Sequence, residues 1–374
     1  MILGGLFLHR FICVFCVPIV FLIFLTTVAT IAVHAQERYF YSGKTYGSEA
    51  MYNPLSVIIN GGYDVLQAAT RSRSMDSIPY KTGFNNVWRN ISNPFPQIEK
   101  FGWSRFIGQE VFPTSLRIDK AQFFPNYTLH LIGGGMEYRA TREWYDVHGA
   151  PSPTLCALGT MVAYHLLNET VENDSYIGPN VDPIADMLIF DPAGIILFMS
   201  DDVAAFFSRT LHLTDWSGQA AYGPQYNTLE NQGQNFVMKY ALPFAPATSV
   251  FYHFGDSGML GLSFARKDGT AISASGGVAT KEIRVVDVRN GTRTVSVSLG
   301  WIAGIFFDRE NSLLASLILS NRVNEAMKLN IYPGVIDCGS FSPGVFCGLG
   351  SRGQFTAGVA IRYSPIGLSF RSTE

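Results

Sequence analysis

One stretch near the C-terminus alternates between large apolar side chains and small or polar ones, and it constrains the fold more than any other part of the chain. Residues 294–307 read TVSVSLGWIAGIFF, and every odd position from Val295 to Phe307 is apolar. The even positions are mostly Ser, Thr or Gly. A period of two residues is typical of a β-strand, whose side chains point alternately to its two faces. The run is also long enough for the roughly 9–11 residues with which a strand crosses a bilayer.

The same alternation recurs through the last third of the chain. Between Gln354 and Tyr363 the apolar positions are again every second residue. From Gln234 to Phe370 we count about eight to ten such runs, and no helical pattern separates them. We therefore expect an antiparallel meander, with a tight hairpin where Asn290-Gly291 stands between two alternating runs.

The second face of these strands decides between two architectures. In a soluble sandwich or lipocalin the large apolar face points inward, and the other face should carry charges. Here the other face is Ser, Gly, Thr and Ala, with very few Lys or Glu. Small residues inside and large ones such as Leu299, Trp301 and Ile361 outside suit a small membrane β-barrel over residues 233–374. A secreted, soluble β-rich binding protein remains the alternative.

Residues 1–35 have the pattern of a signal peptide. His9 and Arg10 precede a long apolar run, and Val33-His34-Ala35 places small residues at the two positions that a signal peptidase reads. We expect cleavage before Gln36. An uncleaved transmembrane anchor is the alternative, because the apolar run is longer than usual for a signal peptide. Both interpretations imply that the protein is exported.

Charge and cysteine content narrow the function classes. Without Arg10, 26 of the 27 basic residues remain against 29 acidic ones, which gives a net charge of −3 and predicts no nucleic-acid partner.

Cys338 and Cys347 bracket a turn-rich loop in an exported chain, so we expect a disulfide between them.

Residues 36–232 are predicted to form a helical region, which gives an α+β fold for the whole chain. Apolar residues recur at helical spacing in several segments, and a stretch at 71–118, rich in Pro, Asn and Ser, is expected to be irregular with isolated aromatics. The predicted helices cover residues 54–69, 121–145, 153–170 and 183–212, the last interrupted at Asp191-Pro192.

Two of these helices carry the candidate catalytic residues His130, Glu137, His165 and Glu169. His130 and Glu137 are seven residues apart, nearly two helical turns, so both should lie on one face. The three glycines at 133–135 would let another backbone approach that face. His165 and Glu169 are spaced i, i+4 in an apolar run. If the helices pack together, the four side chains could bind a divalent metal or act as general acid and base on a lipid ester.

A structural role competes with this interpretation. Buried His–Glu pairs also fix helix register without any chemistry. No motif for an organic cofactor is present. Asp182 and Asp191 each precede a proline, which is typical of helix caps, and a catalytic role for Asp186 or Asp191 is the minor alternative.

The order of these parts resembles uncharacterised bacterial outer-membrane proteins in which a helical domain precedes a small barrel. The resemblance covers the mature chain in layout and rests on no tight motif. It implies an outer-membrane location and no particular activity. We therefore expect an integral outer-membrane protein, with the lipid bilayer as partner and a structural, transport or lipid-handling role. A membrane-associated enzyme that acts on a lipid or acylated substrate is the alternative.

Overall fold

The chain folds as α+β, with helices in its N-terminal half and one large sheet after them. A computed structural model describes residues 37–67, 72–113, 124–173, 180–289, 292–339 and 341–372. The predicted signal peptide at 1–35 and the turn residues Asn290 and Gly291 lie outside the described residues.

The helical half is built from short helices around one long one. Its α-helices are α1 (Pro54–Gly62), α2 (Tyr80–Ile91), α3 (Pro94–Phe101), α4 (Trp103–Phe106), α5 (Gly135–Val147), α6 (Pro153–Glu172), α7 (Asp182–Ala185), α8 (Asp191–Met199) and α9 (Asp201–Ala205). Wider π-helical turns occupy Ile107–Val111, Phe124–Gly134, Asp186–Phe190 and Phe206–Thr210.

The segment that we expected to be irregular is largely helical. Helices α2, α3 and α4 and a π-helical turn lie within residues 71–118. Two of the prolines that suggested irregular chain stand at helix starts, where a missing N–H costs nothing: Pro94 is the first residue of α3, and Pro79 is the N-cap of α2.

Helix α1 begins as its sequence predicts. The Asn53 side chain accepts hydrogen bonds from the N–H groups of Leu55 and Ser56, and the Ser56 hydroxyl accepts one from the N–H of Asn53. At its other end Gly61 lies against α6, since a Cβ there would stand 2.2 Å from the Tyr164 ring. The Asn168 side chain donates to the Gly61 carbonyl at 2.9 Å, so α1 and α6 form one close-packed pair.

The sheet has thirteen strands within the described residues. They are β1 (Thr214–Asp215), β2 (Ala221–Gly223), β3 (Thr228–Glu230), β4 (Asn235–Leu242), β5 (Ala245–Gly255), β6 (Ser257–Ala265), β7 (Thr270–Arg289), β8 (Thr292–Arg309), β9 (Ser312–Ser320), β10 (Met327–Ile331), β11 (Pro343–Leu349), β12 (Phe355–Ile361) and β13 (Gly367–Arg371). Strands β4 to β13 form the expected antiparallel meander, and β7 pairs with β8 up to Arg289 and Thr292 on either side of the predicted hairpin turn.

The expected closed, small antiparallel barrel is wrong. The strands form one open, mixed sheet in the order β1-β4-β5-β6-β7-β8-β9-β10-β11-β12-β13-β2-β3, and β13 pairs with β2 in parallel. Strands β1, β2 and β3 also begin before residue 233, inside the region expected to be helical. They are two or three residues long, which is too short for an alternating pattern to be visible in the sequence.

The edge strands of this sheet have hydrogen-bond partners beyond the ladder. Beside β3, the Leu229 N–H donates to Arg73 and the Met75 N–H to Asn227. At β1, the Ser48 hydroxyl donates to the Asp215 carbonyl at 3.1 Å. Covered edges reduce the tendency of a sheet to pair with other chains.

The two faces of the sheet separate large apolar residues from polar ones, as the sequence predicted. Leu299 is 37% exposed, Trp301 55% and Ile361 51%, all on the outer face. Other exposed side chains of that face are Val250, Leu260, Leu262, Phe264, Val278, Ile305, Leu319, Leu349, Phe355, Val359, Leu368 and Phe370. One detail differs, because the inner face also holds large apolar residues, including the buried Ile302 and Phe306.

The inner face also carries buried charges in pairs. Lys239 Nζ lies 2.7 Å from Asp308 Oδ2, and Arg73 Nη1 lies 2.7 Å from Glu230 Oε2. Arg322 pairs with Asp256 in the same way. A cavity of about 50 Å³ lies on this side, lined mainly by polar groups such as His253, Ser316, Arg322, Lys328 and Asn330. The sheet therefore buries charged side chains and exposes apolar ones.

The helical half packs against the first strands of the meander. Phe236 of β4 and Phe254 of β5 are fully buried in one core with Met136, Met161 and Phe198. A Cβ at Gly133 would stand 2.6 Å from the Phe236 ring, so the helix can approach the sheet this closely only with glycine there. This contact fixes the helix that carries His130.

Two further expectations concern the cysteines and the helices. Cys338 and Cys347 are free in the structure, so the expected disulfide is not formed: Cys338 lies in a turn, and Cys347 lies inside β11 between Leu329 and Ala357.

No single helix among the described residues combines the length and apolar character needed to cross a membrane. The helical segments Asp182–Met199 and Asp201–Thr210 together have that length and apolar character, but the chain bends by 88° between them.

The Asp308→Asn substitution tests the buried pair on the inner face. It leaves the Lys239 ammonium without its counter-charge, so we expect the free energy of unfolding to fall by about 3–5 kcal/mol in urea titrations. The control is Asp146→Asn, which breaks the exposed pair with Arg38 and should cost no more than about 1 kcal/mol. Equal losses of stability in the two variants would contradict the assignment of Lys239 and Asp308 as a buried ion pair.

Candidate metal site in the helical half

His130 lies between two carboxylates. Its Nδ1 is 2.9 Å from Asp191 Oδ1, and its Nε2 is 3.6 Å from Asp186 Oδ2. The two aspartates are separated by one π-helical turn, in which the Asp191 N–H donates to the Asp186 carbonyl. This i→i+5 bond keeps both carboxylates on the same side of the chain, where His130 meets them. Single π-turns of this kind are frequent at functional sites.

His165 of α6 lies against the other carboxylate oxygen of the same aspartate. Its Nδ1 lies 3.0 Å from Asp191 Oδ2, and its ring centroid is 5.6 Å from that of His130. Despite this short distance, neither ring nitrogen of His165 nor Asp191 Oδ2 makes a hydrogen bond. Asp191 therefore bridges the two histidines. Its contact with His130 is a hydrogen bond, whereas its contact with His165 is short but not aligned as one.

Two glycines bring the supporting helices together. A Cβ at Gly135, the first residue of α5, would stand 2.6 Å from the Gly194 carbonyl oxygen of α8. A Cβ at Gly194 would stand 2.5 Å from the Leu131 carbonyl oxygen. The expectation that the glycines at 133–135 allow close approach is confirmed. His130 and Asp191 lie within two turns of this crossing, so it sets the distance between them.

Burial and charge give the two histidines different protonation behaviour. Burial lowers the pKa of His165 to about 4, although the Asp191 charge opposes the shift. Burial also acts to lower the pKa of His130, but the charge and hydrogen bond of Asp191 outweigh it, so this pKa is raised. Neutral imidazole is the form that ligates metals, and His165 is held in that form at neutral pH.

The surroundings contain more buried acids than the histidines can neutralise. Burial raises the pKa of Asp186 and of Glu169 well above the usual range, and the charges of neighbouring acids add to the shift. Burial raises the pKa of Glu110 to about 8, with the Asp182 charge as the next cause. Asp186 Oδ1 and Glu110 Oε2 have no hydrogen-bond partner. A bound cation would offset this concentration of carboxyl groups.

Three of the four predicted residues come together and one does not. His130 and His165 form the centre. Glu169 lies near Asp186, whose charge is, after burial, the largest cause of the raised pKa of Glu169. Glu137 is also buried, but its carboxylate accepts a hydrogen bond from Gln234, near the sheet. The π-helical segment Phe124–Gly134 explains the difference, since its turn is wider than 3.6 residues and seven residues no longer make two turns.

Sequence reasoning missed Asp191 as the central residue. We interpreted it as a helix cap, and it does begin α8 with Pro192 behind it, but no side-chain cap hydrogen bond is present at this helix start. The available signal was the pair Asp186 and Asp191 inside an otherwise apolar helix, because ionisable groups in such places are costly to bury and often functional.

The cluster of His130, His165 and Asp191 could hold a metal ion. One potential ligand atom from each residue lies within 4.8 Å of the others. Imidazole nitrogen and carboxylate oxygen are common zinc ligands, and ligand atoms in a tetrahedral zinc site are about 3.3 Å apart. The unaligned contact of 3.0 Å between His165 and Asp191 is close to that value.

No protein-family model, curated protein or solved structure matches this chain. The resemblance in layout to outer-membrane proteins therefore stays a prediction.

The Gly135→Ala substitution tests the glycine crossing. The added methyl group would clash with the Gly194 carbonyl and the Phe198 ring, so we expect a loss of about 1–3 kcal/mol in the free energy of unfolding. Gly159→Ala on α6 is the matched control, since open space surrounds that position and alanine should stabilise the helix by up to about 1 kcal/mol. A Gly135→Ala protein as stable as the wild type would refute the close crossing.

Proposed function

We propose that the protein is an integral outer-membrane protein whose sheet contacts lipid through its outer face, with a structural, transport or lipid-handling role in the cell envelope. The observation that carries this proposal is the inverted distribution of side chains over the two faces of the sheet. Leu260, Trp301 and Leu368 are more than half exposed, whereas Lys239 and Asp308 are buried.

The outer face is difficult to explain in water. Its exposed Leu, Ile, Val and Phe side chains are spread over strands from β5 to β13, whereas a soluble monomer rarely exposes a contiguous apolar patch of more than a few hundred Å². Leaving one such side chain half exposed forgoes about 1 kcal/mol of burial free energy. Hydrocarbon removes this cost for the whole face at once.

The inner face supports the same conclusion from the opposite direction. A soluble sheet turns its charges to water, but here the ion pairs lie among the buried residues. The polar cavity of about 50 Å³ has room for roughly three to five water molecules, at about 10–15 Å³ each. Polar groups collected on one face around a cavity, with apolar groups on the other face, are the arrangement expected of a sheet that contacts lipid.

Strand length and edges are compatible with lipid. From Leu299 to Phe307 the outer residues of β8 extend over nine residues, at the lower end of the roughly 9–11 that cross a bilayer. Unpaired edge groups would be costly in hydrocarbon. The hydrogen bonds of Leu229 and Met75 beside β3, and the bond from the Ser48 hydroxyl to the Asp215 carbonyl of β1, give partners to some backbone groups at both edges.

The Leu260→Lys substitution tests this proposal. For protein folded into phosphatidylcholine vesicles, we expect the free energy of unfolding in urea to fall by about 2–4 kcal/mol, because the proposal places position 260 in hydrocarbon. Phe244→Lys is the control, because Phe244 is also exposed but lies in the β4–β5 turn, where we expect a loss of no more than about 1 kcal/mol. A change within about 0.5 kcal/mol for Leu260→Lys, as on a water-exposed surface, would refute the proposal.

A second proposed function, metal-dependent hydrolysis of a lipid or acylated substrate, rests on the cluster in the helical half. His130, His165 and Asp191 would hold a divalent metal, with Asp186 beside them. A bound metal of this kind supplies Lewis acidity and a water of lowered pKa. Asp186 and Glu169, whose raised pKa values favour the protonated form, are placed to donate a proton near the cluster.

The His165→Gln substitution tests the metal site. We expect the wild-type protein to bind about one zinc ion per chain by elemental analysis and to gain about 2.7 kcal/mol of stability at a hundredfold excess over Kd, both lost in the variant. His148→Gln, at the exposed end of α5, is the matched control and should bind zinc normally. Absence of zinc from the wild type, or equal binding by His165→Gln, would leave His130 and His165 with a structural role only.

A further inference from the structure

Helices α2 to α4 expose an unusual set of aromatic side chains. Trp88 is 56% exposed and Trp103 46%, and each lies beside another exposed ring. Phe84 and Trp88 are stacked on α2 with centroids 6.2 Å apart, and Phe95 lies 6.2 Å from Trp103. Ile107 and Phe112 continue the exposed apolar residues beyond α4. We call this set, from Phe84 to Phe112, the aromatic surface.

The buried side of the same helices shows why these rings point outward. Gly83, Asn86, Val87 and Asn90 form the buried side of α2. A Cβ at Gly83 would stand 2.0 Å from the Thr170 carbonyl oxygen, so α2 is held tightly against α6 by that side. The rings of Phe84 and Trp88 therefore cannot turn inward without breaking this contact, and exposure is their fixed state in the fold.

Cationic residues accompany the aromatic surface. Residues 80–111 contain four basic side chains, Lys81, Arg89, Lys100 and Arg105, all exposed. Of the two acids in the same stretch, Glu99 is exposed and Glu110 is buried. The exposed charge of this segment is thus +3, in a chain whose formal net charge is −2. Arg105 also lies over the Phe101 ring at 4.3 Å, where its stem covers apolar surface.

We propose that the aromatic surface docks on the headgroup region of an anionic phospholipid bilayer. Tryptophan rings sit preferentially at the membrane–water interface, and basic residues around them are attracted to anionic lipids. The excess of positive charge selects this partner over a neutral surface. The proposal does not depend on the position of the sheet, since a water-exposed sheet would leave the rings and charges of α2 to α4 unchanged.

Tryptophan quenching by brominated lipid tests the proposal with the full chain. We compare the wild type with a Trp88→Phe/Trp103→Phe variant, which keeps the bulk of both rings, in membranes of phosphatidylcholine and phosphatidylglycerol in equal parts. The fluorescence lost in the variant is the signal of these two residues. We expect lipid brominated near the headgroup to quench most of that signal, and phosphatidylcholine alone to quench it much less.

Two controls separate this proposal from the others. Trp144→Phe isolates a partly buried ring that stacks on His148, and its signal should not be quenched. Trp301→Phe isolates the outer face of the sheet, so its quenching reports on the proposed function alone. An unquenched signal from Trp88 and Trp103 in anionic membranes would overturn the docking surface, and equal quenching in neutral membranes would overturn the choice of anionic lipid.

Discussion

The ion pairs on the inner face of the sheet constrain the rest of the structure. Lys239 with Asp308, and Arg73 with Glu230, are buried, so that face must be the interior. Because side chains alternate along a strand, the residues between the inward ones point to the opposite face. The helical half covers that face at Phe236 and Phe254, and the face is exposed on the later strands. Many of the outer positions are Leu, Val, Ile, Phe or Trp, so the face opposite the charged interior is largely apolar.

The helical half is organised by a second constraint, which is close packing at glycine. Gly133 meets the Phe236 ring, and Gly135 meets Gly194, so one helix is fixed against both the sheet and α8. His130, which precedes these glycines, is thereby held against Asp191, and α6 adds His165 from the other side. The proposed metal chemistry and the proposed membrane contact thus lie in different parts of one molecule, joined through the core around Phe236 and Phe254.

The sequence was most informative where a pattern repeats over many residues. The alternation from Leu299 to Phe307 assigned the outer face of β8, and the apolar run from Pro153 predicted α6 with an end only two residues short of Glu172. The open strand order could not be foreseen, because β1 to β3 are too short for any period. The place of Glu137 depended on a π-helical turn, and that of Asp191 on a tertiary contact rather than a local cap.

The most direct test of the central claim is the accessibility of a spin label attached at position 305 on β8 in reconstituted vesicles. Ile305 is exposed on the outer face, and its neighbour Phe306 is buried on the inner one. In electron paramagnetic resonance, a label at 305 should collide freely with oxygen, which concentrates in hydrocarbon, and hardly at all with a water-soluble nickel complex. Free collision with the nickel complex and little with oxygen would place the apolar face in water and contradict the account.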